Sequence, residues 1–96
     1  MDINRLVREK REEIRHIASG HGVYTIRLFG SVARGEAGAG SDVDFLVETG
    51  PGRTPWFPGG LIADLEDLLA CRVDIVTEKA LHWYIRDRVL QEAVPL

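Results

Sequence analysis

The sequence predicts a small α/β domain of the two-layer, α+β kind: a mixed three-stranded sheet with helices packed on one side. Three observations lead there. Short runs of β-branched and aromatic residues alternate with amphipathic helical stretches. Glycine clusters fall between them, where a chain must turn. And 96 residues at 45% hydrophobic content suit a single core spanning 1–96, with no room for a second, substrate-holding domain.

Ile3, Leu6, Val7, Ile14, Ile17 and Ala18 recur at helical spacing among Arg, Lys and Glu, which predicts one amphipathic first helix ended by Gly20 and Gly22. Val23 to Phe29 reads as a strand, and Ser31 to Ser41, with Gly35, Gly38 and Gly40, as a short helical turn and loop. Asp42 to Glu48 is a second strand. Period-2 alternation puts Val43, Phe45 and Val47 on one face and Asp42, Asp44, Leu46 and Glu48 on the other.

Residues 50–60 hold three of the four prolines and are expected to form a connecting loop. Leu61, Ile62, Leu65, Leu68 and Leu69 form the apolar stripe of a further helix, and Arg72 to Thr77 a third strand carrying Asp74. The last helix is expected over 80–93, with Leu81, Ile85 and Val89 inward, joined by Tyr84 and Leu90.

The charge balance excludes several function classes. Twelve Lys and Arg against 15 Asp and Glu give a formal charge of −3, so no chain-wide basic field marks a nucleic-acid or membrane-surface binder, and no direct nucleic-acid binding is expected. Arg5, Arg8, Lys10, Arg11 and Arg15 are interleaved with Glu9, Glu12 and Glu13, the pattern of a solvated helix face. The lone Cys71 leaves neither an internal disulfide nor a Cys-rich zinc site, and reads as a small packing residue. His16, His21 and His82 lack metal-ligand spacing. No apolar run reaches membrane-spanning length, and the expected setting is cytoplasmic.

Chemistry concentrates in Gly30-Ser31-Val32-Ala33-Arg34-Gly35-Glu36 followed by Ser41-Asp42-Val43-Asp44. A glycine ending a strand lets backbone approach a ligand, and the N–H groups of the turn after it suit phosphate oxygens. Asp42 and Asp44, one residue apart on a strand, repel each other unless protonated or bridged by cations. Hard divalent cations such as Mg²⁺ take one or two carboxylates plus substrate phosphates, and Asp74 supplies a third carboxylate for a two-metal arrangement. Arg34 suits either a grip on phosphate or a salt bridge to Glu36 or Asp42.

Alone, either fragment is more often structural: a strand-ending turn, or a solvent-facing strand edge. Together, the Gly-Ser turn, the Asp-x-Asp strand and the later Val-Asp-Ile-Val-Thr strand resemble the nucleotidyltransferase superfamily with the polymerase-β-like fold. The likeness is closest to the minimal nucleotidyltransferases that act as antitoxins beside HEPN-domain toxins. It extends to the end of the last helix, Ile-Arg-Asp-Arg-Val-Leu-x-Glu-Ala.

That resemblance implies a nucleotidyltransferase fold, with Gly30, Ser31, Arg34 and Ser41 in the nucleotide site and Asp42, Asp44 and Asp74 as metal ligands and catalytic carboxylates. It further implies ATP as substrate, two Mg²⁺ ions, and transfer of AMP to a hydroxyl, a tyrosine's, of a HEPN toxin. Two rival readings are a non-catalytic antitoxin that neutralises by binding and a nucleotidyltransferase acting on small molecules. Trp56 and Phe57, between prolines in the loop, are expected to cover the core or anchor the partner.

Overall fold

The computed structural model describes residues 3–36, 42–51 and 57–96. The first helical stretch is two helices, α1 (Ile3–Glu9) and α2 (Arg11–Gly20), rather than the single one expected. Lys10, at φ −97° and ψ 8°, separates them, although hydrogen bonds from Lys10 N–H to the Leu6 carbonyl and from Ile14 N–H to the Lys10 carbonyl carry across. No proline or glycine marks that position, so tertiary packing sets the break, with Val7 and Ile14 both fully buried.

There follow β1 (Val23–Phe29), α3 (Gly30–Ala33), β2 (Val43–Thr49), α4 (Gly59–Leu69), β3 (Val73–Thr77), a 3-10 turn (Glu78–Ala80), α5 (Trp83–Glu92) and β4 (Val94–Pro95). The sheet has four strands in the order β3-β2-β1-β4, where three were expected. It is mixed: β1 is antiparallel to β2 and to β4, while β2 and β3 are parallel. β4 escapes a sequence reading because it has two residues, one of them Pro95, a residue suited only to a sheet edge.

Helices α1, α2 and α4 pack on one face. Val7, Ile14, Ala18, Leu61, Leu65 and Leu69 share one cluster with the strand residues Ile26, Leu28, Val43, Phe45, Val47, Val73 and Ile75. Each helix offers its apolar stripe to the inward-alternating strand positions, as burial of about 25 cal/mol per Å² of apolar surface favours. Leu46, which alternation puts on the opposite face with Asp44 and Glu48, is also buried, only 1% exposed.

The last helix differs most from expectation. It begins at Trp83, where the His82 ring nitrogen accepts the Tyr84 N–H at 3.1 Å and so caps the helix. Leu81 therefore lies outside the helix, and the inward phase is lost for Tyr84 and Ile85, which are 77% and 41% exposed. Val89 alone in α5 is fully inward, and it stands outside the main cluster. The rings of His82, Trp83 and Tyr84 pack on one another, His82 stacked on Trp83 and Tyr84 edge-on to both, with centroids 5.7 to 6.3 Å apart.

Candidate active site

Strand directions bring the chemical residues together. Because β1 is antiparallel to β2 and β2 parallel to β3, the end of β1 meets the beginning of β2, and the beginning of β3 lies on the far side of that strand. Phe29 pairs with Asp44, and Asp44 with Asp74, so the Gly30 turn and two carboxylates adjoin. Asp42 lies exposed just before β2, and the Val43 N–H anchors that entry by donating to the Arg72 carbonyl at 2.9 Å.

Gly30 is there for two reasons. Its φ is +77°, a region open to glycine, and a Cβ on it would run into the Asp44 carboxylate, 3.2 Å from Asp44 Cγ. Backbone and carboxylate thus sit closer than any side chain permits. Gly30 opens the four-residue helix α3, whose first N–H groups have no carbonyl one turn back within the helix and are free to meet phosphate oxygens. Ser31 lies in that first turn, half-buried. From α1, the Asn4 side-chain amide donates to the Val32 carbonyl at 2.8 Å and pins α3 in place, a role nothing in the sequence signalled.

Partial burial pushes the Asp44 carboxyl above its ordinary value, and the negative charges of Asp74 and then Asp42 push it further, with Arg34 opposing. A site that makes a carboxylate this costly to ionise favours a bound cation. Carboxylates, in turn, are the donors that Mg²⁺ prefers. Among the described residues, no three His, Cys, Asp or Glu side chains already close into a metal cluster.

Arg34 pairs with Glu36, Nε to Oε2 at 2.9 Å, as one sequence reading had it, and with Glu92 at the end of α5, a partner the sequence did not suggest. Ser41 and Trp56 lie outside the described residues. Phe57 packs against the core cluster, the covering role of the two expected for it. Cys71 also packs there, and burial pushes its thiol up, away from a nucleophile's range. His21 meets the Asp64 carboxylate at 2.7 Å. The basic residues of the first helices are matched locally, as in Arg5 with Glu9 at 3.0 Å and Lys10 with Glu13 at 3.7 Å. An open trough of about 900 Å³ between α2 and β1, bordered by Arg15, His16 and Thr25, includes none of the aspartates. Chemistry rather than volume therefore marks the site.

The nucleotidyltransferase domain family matches this sequence over residues 7–96. The chain belongs to that family. Among relatives of this nucleotidyltransferase, a Methanocaldococcus jannaschii protein provisionally named a protein adenylyltransferase is 39% identical over 88 residues, covering 92% of this chain and 95% of the relative. The protein adenylyltransferase MntA of Thermococcus cleftensis is 41% identical over 93 residues, covering 86% and 92%. A solved structure provisionally described as a minimal nucleotidyltransferase superposes with a TM-score of 0.87 at 46% identity, over all of this chain and 97% of the other. A toxin–antitoxin crystal structure with AMP-PNP shares the fold at a TM-score of 0.73 and 21% identity, over 88% of this chain and 69% of that one. No helix among the described residues is long and apolar enough to cross a membrane.

Proposed function

We propose that this nucleotidyltransferase is a Mg²⁺-dependent protein adenylyltransferase that moves AMP from ATP to a hydroxyl, a tyrosine's, of a HEPN-domain toxin, and so serves as its antitoxin. The observation that carries the reading is the adjoining of Gly30, Asp44 and Asp74 at one end of the sheet. The names of the Methanocaldococcus jannaschii and Thermococcus cleftensis relatives, 39% and 41% identical, support the same reading. A cytoplasmic setting is part of the same proposal.

In this reading the α3 N–H groups and Ser31 take the triphosphate, a role shared by Arg34 and Ser41. Asp42, Asp44 and Asp74 hold Mg²⁺, two ions in the full arrangement. The metal supplies charge neutralisation for the attacking and departing oxygens. The acceptor hydroxyl forms a bond to the α-phosphorus as the bond to the bridging oxygen breaks. Pyrophosphate leaves with that electron pair, and in this reading Asp74 receives the hydroxyl proton. The acceptor hydroxyl is positioned by the protein that carries it.

Calorimetric titration with ATP, with Mg²⁺ and with EDTA, tests the site. Saturable binding is expected with Mg²⁺, weakened at least about tenfold in EDTA, where three carboxylates face a bare triphosphate. Equal affinity in both would remove the carboxylates from the nucleotide site.

A further inference from the structure

Arg34 is held from two directions. Its Nε donates to Glu36 at 2.9 Å, and its Nη1 to both carboxylate oxygens of Glu92, at 3.2 and 3.1 Å. Glu36 is a near neighbour in the chain; Glu92 comes from the far end of it. The Glu92 position is doubly fixed. It closes α5, which is anchored by buried Val89, and only Ala93 separates it from β4, whose Val94 pairs with Leu28, two residues before Gly30. The helix end and the nucleotide turn are thereby tied to the same stretch of β1.

A guanidinium is a planar fork, so fixing Nε and Nη1 fixes where Nη2 points. The two N–H groups of Nη2 have no hydrogen-bond partner among the described residues. Arg34 also closes α3 directly after the Gly30 turn, its backbone N–H donating to the Gly30 carbonyl at 3.2 Å. As a brace for the fold the contact with Glu92 is a weak device, since pairs with side chains this exposed, 39% and 24%, contribute little to stability. Orientation of a long, mobile side chain is what two carboxylates on one guanidinium achieve.

We propose that Glu92 is a positioning residue: it holds Arg34 so that the free edge of the guanidinium faces the phosphate oxygens of a bound nucleoside triphosphate. The inference rests on the nucleotide site described under the proposed function. Glu92 touches no substrate and acts through Arg34.

A double-mutant cycle read by calorimetry with Mg²⁺ and ATP tests it, on wild type, Arg34→Ala, Glu92→Ala and the double variant, with Gln91→Ala as a control for α5. Arg34→Ala is expected to weaken binding about tenfold, the scale of one charge-assisted contact. Glu92→Ala is expected to weaken it about threefold to tenfold, and the double variant to bind no worse than Arg34→Ala. Glu92→Gln, which keeps an oxygen acceptor, recovers part of the loss and replaces Glu92→Ala should that variant melt early. Unchanged or tighter binding in the Glu92 variants, or losses that multiply in the double variant, overturns the inference while leaving the site intact. Absence of binding by wild type overturns the site itself.

Discussion

Asp44 and Asp74 stand opposite each other in the parallel pairing of β2 and β3, while the Gly30 turn closes on Asp44 from the other side. One carboxylate is thus crowded by a second and by backbone. In the free protein this is an unfavourable arrangement that a proton or a cation relieves, a common condition of sites whose function outranks their stability.

The pH dependence of stability follows from that crowding. The Asp44 carboxyl is raised in the folded chain, so the folded state binds this proton more tightly than the unfolded state does. Its contribution is fully present below the ordinary Asp value of about 3.9 and is lost as pH rises through the raised value. Asp44→Asn should therefore raise the melting temperature at neutral pH in EDTA, by the equivalent of about 1 kcal/mol or less, because the half-exposed group is screened by water. The gain should vanish near pH 3.5. Melts of both proteins across that range decide it, and a gain that grows on acidification contradicts the electrostatic account.

Gly30→Ala should cost about 1–3 kcal/mol, from the φ of +77° imposed on a residue with a Cβ, and should displace Asp44 as well. Nucleotide binding is expected to fall further than stability alone accounts for. Gly35→Ala is the control, since its φ is also positive, at +72°, but a Cβ there meets nothing within 4 Å. Equal loss of binding in the two variants would place the effect in backbone strain and not in the contact with Asp44.

Ala70 ends α4 in the left-handed region, at φ 54° and ψ 36°, its N–H donating to the Glu66 carbonyl at 2.8 Å. Helices commonly close there with glycine. Ala70→Gly should stabilise the fold by about 0.5–1 kcal/mol, the relief of a strained alanine less the added freedom of the unfolded glycine. A rise of about 2–8 °C in the melting temperature without change in nucleotide affinity is the expected result.

Much of this was legible in the sequence because the signals were local. β1 lies at 23–29 as read, and the period-2 pattern placed Val43, Phe45 and Val47 in the core. The adjoining of the Gly30 turn with the aspartate strands follows from topology, which family likeness supplied and periodicity did not. What was missed depends on distant contacts. The break at Lys10 has no local cause, β4 is too short to carry a period, and Tyr84 and Ile85 turn outward because His82 resets the start of α5. Glu92 was seen only as part of a helix-ending pattern, because its bond to Arg34 spans 58 residues.

The most direct test of nucleotidyl transfer is covalent labelling. The protein is incubated with [α-³²P]ATP, Mg²⁺ and the product of its neighbouring gene, and compared with a variant carrying both Asp42→Asn and Asp44→Asn. Label on the partner that requires Mg²⁺, is absent from the variant and coincides with loss of the partner's toxicity is the result expected. A partner that is neutralised equally well by wild type and variant, with no label in either, would contradict transfer and leave an antitoxin that acts by binding alone.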